Sequence, residues 1–455
     1  MTRHAYRSID LAVKTSRPQL LLVSHTERKF TQKLLIHAIK FIFEQSINKF
    51  VSMPKIIFAV LKERKTPPDH RVPLTPEQCV ALQKRFPDAQ MVIESSDIRV
   101  YSDRAYINLG LEVLEDISHA DVMLGVKEVP VEALIPNKSY LFFSHTIKKQ
   151  PYNRNLLRSI LENNISLFDH ETLVYPDGGR VLGFGYYAGV VGAYNGLRSW
   201  GLKYGSFKIE KAHNLPNIRG LHEELETVKL PPIKILLTGL GRVGKGAAAI
   251  LDHMKIRKIG VNQYLSETFN ETVYCQVGSL DYNVRQDGAS ATQEDFYTNP
   301  KDYKSTFAKF SAVTDFLIAG HFYGDNAPFL FSRDDAKASD FKISVVADIS
   351  CDIDGPVACT IRPSTIANPF YGYDPLTEQE VDFYVPKAIT VMAVDNLPCE
   401  LPLDASQGFG LDLLNKVIPA FFDGDKDGIL ARAQITKDGK LTKRFEHLQS
   451  YVNGA

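Results

Sequence analysis

Three observations predict an α/β protein of two domains, each built on a mostly parallel sheet, with a cleft between them. Short apolar runs alternate with stretches at helical spacing along most of the chain, the pattern of parallel strands joined by crossover helices. Lys234 to Leu251 reads as strand, glycine turn and helix in succession. At 455 residues the chain exceeds one ordinary hydrophobic core.

Composition excludes several classes of function. Hydrophobic content of 44% and charged content of 23% are those of a soluble globular protein. The formal net charge is zero, which gives no reason to expect nucleic acid or an anionic membrane as partner. Five cysteines are dispersed without a C-x-x-C pair, which argues for a reducing compartment and against a disulfide framework or a zinc site. No apolar run approaches the ~20 residues that span a bilayer.

Residues 1–52 are rich in Lys and Arg, poor in acids, and hold two short apolar runs. An unstructured extension, or translation begun upstream of Met53, is preferred over a mitochondrial transit peptide, although the acid-poor composition suits the latter. The expected compartment is the cytoplasm, or the mitochondrion if this segment is a leader. From Lys55 the order is regular. Ile56 to Val60 reads as a buried strand. Thr75 is a good N-cap, with Pro76 at the first helical position, for a helix around Glu77 to Arg85. Further strands follow at Met91–Ile93, Asp121–Val126, Tyr140–Phe143 and Ile165–Phe168. Ligands of such sheets gather at the carboxyl ends of strands. Lys127, His145 and Glu171 each stand just past such an end.

Arg180 to Trp200 carries a run of small residues and opens a long linking helix. Next comes the glycine unit. Ile235-Leu-Leu237 forms a buried strand, and Gly239, Gly241 and Gly244 supply G-x-G-x-x-G before a helix through Leu251. The glycines serve a tight turn, close approach of backbone to a pyrophosphate, and helix–strand packing. The helix N-terminus presents unpaired N–H groups to that anion. A dinucleotide site is therefore expected here. Further strands lie at Phe316–Ala319, Ile343–Ala347 and Ile389–Val394, and a helix begins near Leu411. A second strand of this unit is expected near Ile259-Gly-Val261. An acid that would mark NAD is missing directly after it, since Asn262 and Gln263 follow, and Arg257 and Lys258 sit at its wrong end to grip a 2′-phosphate. NAD and NADP stay open. Asp423 to Gly428 copies half of a calcium loop, but its twelfth position is Gln434, so a polar turn is expected and no metal.

Four further motifs occur in order: Val126-Lys-Glu-Val-Pro130, Phe142-Phe-Ser-His-Thr-Ile-Lys-Lys-Gln150, Gly179-Arg-Val-Leu-Gly-Phe184 with Tyr187-Ala-Gly189, and Val394-Asp-Asn-Leu-Pro398. From about Lys55 to about Asp423 the chain resembles the lysine-forming saccharopine dehydrogenases and the lysine–2-oxoglutarate reductase domain of bifunctional lysine-degradation enzymes, which share an architecture with alanine dehydrogenase. The resemblance implies two Rossmann-like domains. Residues 53–190 and 396–455 would form the substrate domain, and residues 191–395 the dinucleotide-binding one. It also implies hydride transfer between saccharopine and NAD or NADP, with L-lysine and 2-oxoglutarate as the other partners. Lys127 would handle the amine proton and His145 the proton of water and carbinolamine. Glu128 and Glu171 would moderate the charge around that pair. Arg71, Gln150, Phe184, Ser350, Cys351 and Asp352 would contact substrate. Arg180, Arg242, Val394, Asp395, Asn396 and Leu397 would join the three glycines at the cofactor.

The chemistry itself needs two groups titrating near neutrality, and Lys127 could serve if burial or cationic neighbours lower its pKa. Two rivals stand beside this reading. One is an alanine-dehydrogenase-like deaminase, whose substrate has a single carboxylate. The other is a dinucleotide-binding protein without turnover. The bifunctional enzymes also fuse a glutamate-forming half onto the reductase, which is absent from this sequence.

Overall fold

The computed structural model describes residues 55–324 and 326–454. The readings for residues 1–52 lie outside the described residues. The first sheet holds β1 (Ile56–Val60), β2 (Ala89–Glu94), β3 (Glu112–Leu114), β4 (Val122–Leu124), β5 (Ser139–Phe142) and β6 (Ser166–Asp169). They are arranged β3-β2-β1-β4-β5-β6 and every pair is parallel. Helix α1 (Pro76–Arg85) starts where its sequence says it should. The Thr75 hydroxyl accepts from the Gln78 amide, and the Gln78 side chain accepts from the Thr75 amide, a reciprocal cap. Strand order reverses between β1 and β4, the place where open parallel sheets hold ligands.

Helix α2 (Gly185–Tyr204) leads into the second sheet. There β7 (Lys234–Thr238) is followed by α3 (Arg242–His253), β8 (Arg257–Lys258), α4 (Val261–Ser266) and β9 (Val273–Val277). After the β10–β11 hairpin (Asn283–Arg285 with Tyr303–Ser305) come β12 (Phe316–Ala319), β13 (Val345–Asp348), β14 (Phe370–Asp374), β15 (Gln379–Val381) and β16 (Ile389–Met392). The order is β15-β14-β16-β13-β12-β7-β9-β8, with β14 and β15 antiparallel at one edge. Here order reverses between β7 and β12.

One expectation needs correction. Ile259-Gly-Val261 is not the second strand: Gly260 caps α4, and Val261 already lies in that helix. Arg257 and Lys258 are themselves the exposed two-residue edge strand. The strand beside β7 is β9, whose β-branched and aromatic residues are buried on both faces as a central parallel strand requires.

Each sheet is covered on both faces. Phe58, Val60 and Leu124 pack with Phe409 and Leu413, while Ala59 and Met123 pack with Ile435, Leu448 and Tyr451. The chain beyond β16 thus returns to the first sheet. Its helix, α5 (Pro402–Asp412), starts before the expected Leu411. On the second sheet α2 and α3 cover one face with Ile235, Leu237, Phe316 and Met392. These helices cross at backbone contact: a Cβ on Gly189 would stand 2.0 Å from the Val243 carbonyl oxygen, and one on Gly246 1.9 Å from that of Tyr186. At the calcium-loop look-alike, the Asp425 carboxylate accepts from the Leu430 and Ala431 amides at 3.0 and 2.8 Å, a helix-start turn. Among the described residues no group of His, Cys, Asp and Glu could hold a metal, and no helix is long and apolar enough to cross a membrane.

Candidate active site

The carboxyl ends of β4, β5 and β6 turn toward one cavity of about 600 Å³. Its lining includes Arg71, Lys127, His145, Glu171, Phe184 and Asn396. Arg71 comes from the loop before α1, and Asn396 from the segment after β16, so residues far apart in sequence meet here. Lys127 is half-buried. Burial, together with Arg71 and Lys65, pulls its ammonium below the ordinary lysine value, against the smaller opposing pull of Glu128 and Asp69.

His145 sits in left-handed backbone, φ 54°, on the turn after β5. Its Nδ1 lies 2.6 Å from Glu128 Oε1, and Lys65 Nζ lies 3.2 Å from Glu128 Oε2. Burial alone would raise the Glu128 carboxyl, but the bond and charge of His145, with Lys65, bring it down to about 2. An ionised carboxylate only accepts, so Nδ1 carries the hydrogen of this bond and Nε2 takes no part in it.

Arg71 is buried, at 2% exposure. Its Nε and Nη2 donate to Asp69 at 3.0 and 2.6 Å, and Nη2 also reaches Asn396 Oδ1 at 3.3 Å. The guanidinium lies 4.1 Å from the centre of the Phe184 ring, which stacks on Phe409 at 4.5 Å. Burial works against the Asp69 charge, but Arg71 outweighs it and holds that carboxyl at about 2. Glu171 receives Arg180 Nη2 at 3.1 Å and Lys148 Nζ at 3.6 Å on one oxygen.

Some expected residues fall outside this lining. Gln150 is exposed, and its backbone carbonyl accepts from the Tyr451 hydroxyl at 2.6 Å. The Ser350 hydroxyl folds onto Asp348 Oδ1 at 2.6 Å, and the Cys351 thiol donates to the Ala393 carbonyl at 3.0 Å. Asp352, half-buried, is also outside it. Val394 and Leu397 are buried in the core of the second sheet, whereas Asp395 and Asn396 between them line the cavity. Two residues were missed. Asp69 is legible only as an acid two positions before Arg71, and Glu63 only as an acid shortly after β1.

The glycine turn at the second switch point has the form a pyrophosphate needs. Gly239 has φ +96°, its amide donates to the Val277 carbonyl at 2.9 Å, and a Cβ there would stand 2.4 Å from the Gly320 carbonyl oxygen. A Cβ on Gly244 would stand 2.0 Å from the Gly239 carbonyl oxygen. A Cβ on Gly241 would meet nothing within 4 Å, in a pocket of about 410 Å³ at the N-terminus of α3. Arg180 and Arg242 line both this pocket and the larger cavity. The Arg242 guanidinium donates to the carbonyls of Arg180 and Val181. At the end of β9 the Asp281 carboxylate accepts from the Gly278 amide at 2.7 Å, and Lys258 Nζ is held by Gln276 at 2.8 Å. Because the space beside Gly241 is open, Gly241→Leu is expected to fold. It should raise the dinucleotide dissociation constant tenfold or more, about 1.4 kcal/mol; unchanged affinity in titration calorimetry would remove the site from this turn.

Comparison with known proteins places the fold among relatives. Residues 59–191 match the family model described as alanine dehydrogenase/PNT, N-terminal domain. The chain is 29% identical over 446 residues to mitochondrial α-aminoadipic semialdehyde synthase of Mus musculus, covering 87% of this chain and 48% of that one. It is 25% identical to the NAD(+), L-lysine-forming saccharopine dehydrogenase of Yarrowia lipolytica, covering 79% and 90% of the two chains. The solved structure of an L-alanine dehydrogenase shares the fold, with a TM-score of 0.59 at 17% identity over 87% of this chain and 99% of that one. The chain spans about half the length of the semialdehyde synthases it matches. Over most of its length it resembles the α-aminoadipic semialdehyde synthases and lysine-forming saccharopine dehydrogenases, on an architecture related to alanine dehydrogenase.

Proposed function

We propose that this chain is a saccharopine dehydrogenase (L-lysine-forming), or lysine–2-oxoglutarate reductase, interconverting saccharopine with L-lysine and 2-oxoglutarate. One observation carries the reading: Lys127, Arg71 and His145, whose ring is held by Glu128, line one cavity, and Arg180 and Arg242 continue from it to the glycine turn. Residues 53–190 and 396–455 form the substrate domain in this reading, and residues 191–395 the dinucleotide domain. Gly239, Gly241 and the N-terminus of α3 would hold the pyrophosphate of NAD or NADP, which supplies the hydride acceptor. Lys127 takes the proton from the secondary amine of saccharopine as that amine becomes an imine. His145 takes the proton of the water that adds to the imine carbon, through Nε2. It then supports collapse of the carbinolamine to 2-oxoglutarate and lysine. Glu128 keeps the ring in the useful tautomer.

Saccharopine carries three carboxylates and alanine one, and each carboxylate taken from water needs a charge-assisted partner. Three arginines border the cavity, which favours the larger acid over the deaminase reading. Arg71 contributes Nη1, the guanidinium nitrogen that Asp69 and Asn396 leave free. Removing Arg71 alone would strand the buried Asp69 charge, so the test uses Arg71→Ala with Asp69→Asn. This pair is expected to weaken 2-oxoglutarate binding by about 1.5–3 kcal/mol and leave dinucleotide affinity in place. Unchanged 2-oxoglutarate affinity in calorimetry would contradict the assignment.

A further inference from the structure

We propose that Glu63 is a positioning residue for Lys127, holding across the first switch point the turn from which the lysine side chain leaves. The inference rests on the proton-accepting role read for Lys127 above. Glu63 lies in the segment just after β1, and Lys127 lies just after β4, the two strands between which the sheet order reverses. Its side chain is buried, and both carboxylate oxygens are engaged. Oε1 accepts from the Val126 amide at 2.6 Å, and Oε2 from the Lys127 amide at 2.9 Å. These are the amides met as the chain leaves the ladder. The Gly125 amide still bonds to Leu141 across β5, and the Val126 carbonyl accepts from Phe143. Beneath the turn His170 Nε2 lies 3.0 Å from the Gly125 carbonyl oxygen. Gly125 packs beside the carboxylate: a Cβ there would touch Glu63 Oε1 at 3.6 Å and press on Leu61 Cδ1 at 3.2 Å.

The choice of a charged group here is chemically specific. Two convergent N–H donors need two acceptor oxygens, and among side chains a carboxylate supplies both. A glutamine would satisfy one amide and turn its own N–H₂ toward the other. The charge is held at a cost, because the site is dry and Asp69 faces it from the loop before α1. Burial first, then Asp69, raises the Glu63 carboxyl to about 7, against the two amide bonds and Arg71. Asp69 and Arg71 are the charged groups that act on it, and Lys127 meets it through its backbone amide. A merely structural clamp has no need of this arrangement. At the root of Lys127 it fixes the direction in which a partly desolvated ammonium enters the cavity. Since Glu63 loses its proton near neutrality, the grip tightens as pH rises through that region.

A double-mutant cycle with turnover measured per folded molecule decides the matter. Glu63→Gln is expected to lower kcat for saccharopine oxidation about ten- to hundredfold, the equivalent of one lost bond to a charged group. Dinucleotide KM should hold, and the pH dependence contributed near neutrality should disappear. Adding Glu63→Gln to Lys127→Met should cost nothing further, because Glu63 acts through that lysine. Should Glu63→Gln fail to fold, Glu63→Asp, with the carboxylate one methylene short, serves in the same cycle and should be impaired less than tenfold. Near-normal kcat in the folded variant, or a loss that multiplies with that of Lys127→Met, would overturn the proposal. Full activity in Lys127→Met would instead strike the proposed role of Lys127 itself.

Discussion

Lys127→Met is expected to lower turnover about 10²–10⁴-fold, the range for a positioned proton-transfer group. His145→Gln should do the same, and both variants should still bind the dinucleotide, whose proposed pocket lies at the other switch point. The two act in different steps of the proposed sequence, so the double variant should lose about the product of the single effects. The direction of the pH dependence follows from the cavity. Burial, Arg71 and Lys65 lower the Lys127 pKa, so saccharopine oxidation should rise with pH along a limb below the usual lysine range of about 10.4. Lys65→Met removes one of those cations and should move that limb to higher pH. Near-normal turnover in either single variant, under conditions where chemistry limits the rate, would remove that residue from the mechanism.

Gly246→Val is expected to be the most damaging substitution outside the cavity. Added atoms at Gly246 meet the backbone of α2, and a carbonyl cannot turn aside as a flexible side chain can. Overpacking in a core usually costs about 1–3 kcal/mol, and a clash with backbone belongs at or above the top of that range. Loss of cooperative thermal unfolding, or a strongly lowered midpoint, should be seen by calorimetry. Because α2 leads from the first sheet into the second and α3 begins at the glycine turn, dinucleotide affinity should fall as well. A variant with wild-type melting would show that the two helices are free to separate.

Much of this was legible in the sequence, for physical reasons that differ by element. Central parallel strands such as Ile56–Val60 and Phe316–Ala319 are apolar on both faces and announce themselves. The Thr75-Pro76 start of α1 and the glycine turn carry local chemistry that only one backbone path satisfies. The Ile259–Val261 strand failed because two features looked alike: a β-branched pair flanking a glycine read as a strand, whereas the glycine there starts a helix. The true partner of β7, Val273–Val277, lay beyond that helix. In the cavity, residues at strand ends could be placed by order alone. Asp69 and Glu63 could not, because their importance comes from what they meet through space: the fork of Arg71 and the amides of Val126 and Lys127. Ser350 and Gln150 show the reverse case, residues placed by resemblance that fall outside the cavity lining: the Ser350 hydroxyl folds onto Asp348, and Gln150 stands exposed.

Oxidation of saccharopine by the purified full chain decides between the dehydrogenase and the deaminase. NAD and NADP are compared side by side, L-alanine serves as the alternative substrate, and the products are identified by mass spectrometry. Reduced dinucleotide should form from saccharopine with at least one of the two cofactors, in step with equal amounts of L-lysine and 2-oxoglutarate, and little or none from alanine. Turnover of alanine to pyruvate without turnover of saccharopine would contradict the dehydrogenase reading.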